Sequence, residues 1–173
     1  MSVTIVQKED SVLRQKAAEV HVKEIDTPKI RRVLADMKSA LASQSDGVAI
    51  AAPQIGVPLR IFMISGKVFA TASKTKLTKD DSDLVFINPH LTSLSRSKKF
   101  MEEGCLSVRY LYGKVKRSTK ATIKAYNEKG NAFTKRGEDL LAQVFQHEVD
   151  HLEGILFTDT AKDIEDIPPH EHE

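Results

Sequence analysis

Apolar and polar residues alternate along this chain with two different periods, and the periods predict its elements. In "DTPKIRRVLADMKSALASQSDG", residues 26–47, Ile30, Val33, Leu34, Met37 and Leu41 recur at helical spacing. Thr27 is placed to cap that helix, Pro28 suits its first turn, and Asp46-Gly47 stops it. A second helix follows Gly137 and ends near Gly154. On it Leu140, Val144, His147 and His151 share one face, beside a stripe of Leu141, Phe145, Glu148 and Leu152. Two adjoining stripes of mainly apolar residues predict a buried helix.

Strand signals are shorter. They fall around Leu59–Ile64, in "LVFINP" up to Pro89, and in "KATIKAYN" and "AFTKRG", with Glu128–Asn131 as the hairpin turn between the last two. Residues 66–83 begin apolar and become lysine-rich, which predicts a solvated excursion between strands. The fold class is α+β: a compact single domain of short, mostly antiparallel strands around a central helix. The expected boundaries are a domain over residues 1–160 and a short polar tail over 161–173.

Composition narrows the function. The 173 residues carry 26 basic and 24 acidic side chains, a net charge of +2 that gives no electrostatic case for nucleic acid. No apolar run is long enough to span a bilayer, and the N-terminal segment has no signal-peptide pattern. The expected location is the cytoplasm, although a mature organelle protein would look the same. A single cysteine, Cys105, excludes an internal disulfide. Such a thiol is a small buried hydrophobe unless chemistry claims it.

The chemistry concentrates in "QHEVDHLEGILF", Gln146–Phe157. Two histidines one helical turn apart can bind a single metal ion, and Glu148 between them can take a proton from water. The run follows the protease pattern HExxHxxGxxH as far as Gly154, but Phe157 stands where the third histidine would be. Glu171 lies in the tail, too far out to serve. Cys105 in "MEEGCLSVRY" has suitable ligand chemistry, but spacing alone leaves the third ligand open. His21, His90, His170 and His172 read as structural or solvated.

Three motifs then stand in order: "GVAIAAPQ" at Gly47–Gln54, "EGCLS" at Glu103–Ser107 and "QHEVDHLEG" at Gln146–Gly154. With "EDSVLR" and "INP" they resemble the peptide deformylases over roughly residues 3–158. The resemblance implies removal of the formyl group from the N-terminal formyl-methionine of new bacterial polypeptides. It implies one divalent metal ion, Fe2+ before Zn2+, Ni2+ or Co2+, held by Cys105, His147 and His151. Glu148 would move the proton, and the Gln54 amide and Leu106 N–H would stabilise charge on the formyl oxygen. Leu140 and Val144 would line the methionine pocket. Backbone at Gly47, Val48, Ala49 and Ile50 would pair with the substrate, and Glu103 would organise the site through Arg117. The implied partners are formyl-methionyl nascent peptides and, transiently, the ribosome, for which the acidic C-terminus offers no docking helix; no nucleic acid or membrane is expected.

Two departures stand out. Ala49 replaces the second glycine of the first motif, and "VRYLYGK" after EGCLS puts Arg109, Tyr110 and Tyr112 where many members have an apolar residue and proline. The competing readings are an HExxH metallopeptidase with a different third ligand and an inactive deformylase-like protein that only binds peptides.

Overall fold

The computed structural model describes residues 2–72 and 82–169. Among them are three α-helices and eight strands. In chain order these are α1 (Pro28–Ala42), β1 (Ala49–Ala51), β2 (Ile61–Ile64), α2 (Gly66–Ala72), β3 (Leu84–Leu94) and β4 (Lys98–Gly104). Then come β5 (Leu111–Ser118), β6 (Lys120–Tyr126), β7 (Ala132–Glu138), α3 (Leu140–Leu152) and β8 (Lys162–Asp166). Strands β1-β2-β3-β6-β7 make one sheet and β4-β5-β8 the other, and every pairing is antiparallel. The α+β class is as the residue pattern predicts.

Helix α3 lies between the two sheets, packed on β1, β3, β6 and β7 and also on β5. Its apolar side chains meet a core in which Phe62 stacks on Phe86 at 4.5 Å and Phe145 closes on Phe86 at 5.7 Å. Gln146 fixes the helix to β5. Its amide donates to the Ser118 and Ala142 carbonyls at 2.9 and 2.8 Å and accepts from Ser118 N at 3.0 Å. The chain leaves α3 at Gly154, whose φ of +75° favours glycine. A Cβ there would also stand 2.6 Å from the Arg14 carbonyl oxygen, so the N-terminal segment can cross close behind the helix.

Helix α1 buries Ile30, Met37 and Leu41 against Ile50, Ile61 and Met63 of the first sheet, while Val33 and Leu34 stay half-buried. The Thr27 hydroxyl does not cap it but donates to the Glu24 carbonyl at 2.7 Å.

Three further expectations give way to tertiary structure. Strand β3 does not end at Pro89. It runs on to Leu94 through a bulge between Ile87 and His90, with Asn88 at φ +52°. There Asn88 grips the Val20 backbone at 2.8 and 2.7 Å, and Arg60 takes the Pro89 carbonyl at 2.8 and 3.1 Å. A bulge is where a strand tolerates proline. The supposed excursion at 66–83 opens with α2, which packs on α3; residues 73–81 lie outside the described residues. The tail expected over 161–173 holds β8, whose Leu111↔Asp166, Tyr112↔Glu165 and Lys114↔Lys162 pairings complete the second sheet. All five of its side chains are exposed, so no alternation announces it. His170, Glu171 and His172 lie outside the described residues.

Candidate metal centre

The site forms where α3 faces the end of β4. Helical spacing puts His147 and His151 one turn apart, with ring centroids 5.0 Å apart. Cys105 follows Gly104, the last residue of β4, and its Sγ lies 3.2 Å from His151 Nε2. One ligand atom from each of Cys105, His147 and His151 lies within 4.8 Å of the others, so a single ion can be shared by all three. Phe157, standing in place of the absent third histidine, stacks on His147 with centroids 6.2 Å apart. The HExxH helix and the EGCLS turn therefore meet as one constellation.

Glu103 ties His147 to the second sheet. His147 Nδ1 and Glu103 Oε1 are 2.7 Å apart, which leaves the other ring nitrogen for the ion. Arg117 grips the same carboxylate with two hydrogen bonds, Nε to Oε2 at 2.7 Å and Nη2 to Oε1 at 2.8 Å. Its remaining nitrogen, Nη1, donates to Asp150 Oδ2 at 2.6 Å. Both side chains of the central pair are buried, at 3% exposure for Glu103 and 8% for Arg117. Burial works against the Glu103 charge, yet the hydrogen bonds from Arg117 and His147 outweigh it and hold its carboxyl at about 2. The Glu103–Arg117 link expected from sequence is present. Asp150 was not foreseen, although it sits inside the quoted motif.

The thiol responds to the same field. Burial would raise the Cys105 pKa, but the positive ends of His151 and His147 bring it down to about 5. His147 is pushed upward in turn: burial opposes its charge, and hydrogen bonds with Cys105 and Glu103 overcome that. A thiolate flanked by two imidazoles is a donor set matched to a transition-metal cation.

Glu148 is 4% exposed, and its Oε2 is one of two buried side-chain polar atoms among the described residues without a hydrogen-bond partner; the other is His151 Nδ1. Burial raises its pKa. An unpartnered carboxylate oxygen beside three clustered donors is free to accept a proton. The residues present thus suit the ion that the motifs imply.

Gln54 closes the site from the 3-10 turn that follows β1, Ala52–Ile55. Its Oε1 accepts from Ala51 N at 2.8 Å, and its Nε2 points to Ser107 Oγ at 3.1 Å and Cys105 Sγ at 3.6 Å. A cleft of about 340 Å³ leads away from these groups. It is lined by Gln54, Leu106, Val48, Ala49, Leu140 and Val144, among others. Gly47 and Ile50 do not line it: Ile50 is fully buried in the core beneath α1, and Gly47 packs against Leu41. Their part in the site can only be backbone. Strand β1 is an edge strand, paired on one side with β2. Sequence reasoning missed Asp46, Glu102 and Gln143, which also line the cleft. Asp46 had read only as a helix stop.

A model of the polypeptide deformylase family matches residues 2–166. The chain belongs to that family. It is 40% identical over 151 residues to peptide deformylase 2 of Clostridium acetobutylicum, covering 87% of this chain and 89% of the relative. Among solved structures, a peptide deformylase from Legionella pneumophila superposes with a TM-score of 0.81 at 34% identity, covering 94% of this chain and 88% of that one. A class I type b peptide deformylase from Acinetobacter baumannii, solved with Met-Ala-Ser bound, gives 0.78 at 26% identity, with 92% and 99% covered. The chain is a metal-dependent hydrolase that removes the formyl group from N-terminal formyl-methionine. That family membership displaces the metallopeptidase reading. Among the described residues, no helix is long and apolar enough to cross a membrane.

Proposed function

We propose that Cys105, His147 and His151 hold one divalent ion, Fe2+ in the working enzyme, with Zn2+, Ni2+ and Co2+ able to take its place. The support is the donor set: a thiolate and two imidazoles converge within 4.8 Å, and Glu103 orients one ring from behind. The chemistry such an ion supplies is Lewis acidity toward water and the formyl oxygen. Everything else falls to the chain's own side chains.

Glu148 accepts the proton of the attacking water and returns it to the departing amine. The buried, unpartnered Oε2 carries this assignment, because a carboxylate desolvated next to a cation-binding cluster has its proton affinity raised. The Gln54 amide, aimed at Cys105, and the Leu106 N–H supply hydrogen bonds to the formyl oxygen as charge grows there. Val144 and Leu140 present apolar surface to the methionine side chain. Backbone from Gly47 and Val48 leads into β1, whose free edge at Ala49 and Ile50 lets the peptide bind as an added strand. The A. baumannii relative holding Met-Ala-Ser supports a formyl-methionyl peptide as the occupant of this cleft. We place the reaction in the bacterial cytoplasm on nascent chains, with transient access to the ribosome.

The test is formate release from a formyl-Met peptide by protein loaded anaerobically with Fe2+ or with Ni2+. Glu148→Ala should lower kcat by about 10²- to 10⁴-fold while metal content, read by elemental analysis, stays at the wild-type level. Cys105→Ser should lose metal. Full activity in Glu148→Ala overturns the proton-transfer role, and undiminished metal in Cys105→Ser overturns the ligand set.

A further inference from the structure

The run after EGCLS is the part of the cleft that the chemistry leaves unused. From it Arg109 joins the turn after Cys105 to the loop before β1. Its Nη1 donates to Asp46 Oδ2 at 2.7 Å, and Nη2 donates to Asp46 Oδ1 at 3.1 Å and to Gln44 Oε1 at 2.9 Å. Both members line the cleft beside Tyr112. The Arg109 side chain is 22% exposed and that of Asp46 55%, so both charges are open to a bound molecule.

The path of a peptide follows from β1. Gln54, bonded to Ala51 N, brings the C-terminal end of that strand to Cys105. The other end leads back through Val48 and Gly47 to Asp46. A peptide whose formyl group lies at Cys105 and Glu148, and whose backbone adds to the β1 edge, therefore runs antiparallel to β1. At about 3.4 Å per residue, the two residues after the methionine span the length of this short strand, and their side chains extend along the cleft toward Asp46 and Arg109.

We infer that the Asp46–Arg109 pair is the specificity-determining contact for the residues that follow the methionine, and that its balanced charge keeps the enzyme indifferent to charge there. This rests on the assignment of formyl-methionyl peptides to the cleft. Removing one partner leaves the other as an uncompensated, half-exposed charge, which attracts or repels a peptide side chain by about fivefold in kcat/KM. The two removals shift selectivity in opposite directions. A purely structural role for the pair gives no such sign reversal.

The experiment measures formate release from formyl-Met-Ala-Asp amide and formyl-Met-Ala-Lys amide by metal-loaded wild type, Asp46→Asn, Arg109→Met and Arg109→Lys. The readout is the ratio of kcat/KM for the acidic peptide to that for the basic one. It should lie near one in wild type and in Arg109→Lys, rise about fivefold in Asp46→Asn and fall about fivefold in Arg109→Met. A wild-type ratio more than fivefold from one, or ratios that stay put or move together in the two variants, overturns the inference. If Arg109→Met releases formate from neither peptide, an unchanged ratio in Asp46→Asn overturns it alone. Failure of wild type to release formate from either peptide instead overturns the deformylase assignment of the cleft.

Discussion

Two carboxylate–arginine pairs stand at the two ends of the same cleft, and they differ in almost everything but chemistry. Glu103–Arg117 is buried behind the cluster of Cys105, His147 and His151, at 3% and 8% exposure, with every nitrogen of the guanidinium engaged. Asp46–Arg109 lies at the mouth, at 55% and 22% exposure. The inner pair has lost its water, so its members depend on each other: a buried charge left alone costs far more than the pair contributes. At the mouth, solvent screens each charge, and the pair adds little to stability. The inner pair is part of the scaffold, whereas the outer one is free to meet a substrate.

The contrast can be broken most directly at Arg117. Arg117→Met strands the Glu103 and Asp150 carboxylates and should cost about 3–5 kcal/mol of stability, read as a lowered denaturant midpoint. A loss below about 1 kcal/mol, the range of a surface ion pair, would erase the distinction between the two ends. Next in size, Glu103→Gln keeps the side chain's shape and leaves Arg117 its bond to Asp150, so the fold should hold. The orientation of His147 should suffer instead, with metal affinity down by about 10- to 100-fold in competition with a chelator. Wild-type affinity in that variant would mean that the inner carboxylate supports the fold alone. Smallest of all, Asp46→Asn and Arg109→Met should each change stability by no more than about 1 kcal/mol under the same denaturant titration. A change as large as that of Arg117→Met would make the mouth part of the scaffold too.

What could be read from the sequence follows the same division. The nearness of His147 and His151 on α3 was legible because helical periodicity converts spacing into geometry within one continuous segment. Cys105 was open on spacing and gained its place only through the motif resemblance, since nothing local reports that β4 ends against α3. Strands β4 and β8 escaped because their side chains are largely solvated, so period-two alternation is weak in one and absent in the other; β5 escaped although Gly113, Val115 and Arg117 alternate inward along it, because a glycine and an arginine give no apolar signal. Pro89 was read as a strand end because its missing N–H is a local fact, whereas the bulge that accommodates it depends on Asn88 reaching Val20, 68 residues away. The partnerships of Arg117 with Asp150 and of Arg109 with Asp46 are likewise products of the fold. Exposed Asp and Arg have many partners to choose from in a sequence.

Strand β1 is three residues long and borders the cleft with its open edge. A peptide that adds to this edge, as proposed, must present an extended chain end not yet engaged in structure of its own. On that binding mode, deformylation is in a race with the folding of its own substrate. A new protein whose first residues were quickly drawn into a strand or helix would pass out of reach with its formyl group retained. Under that mode the short edge of β1 would set a time window, one that closes when the N-terminus folds.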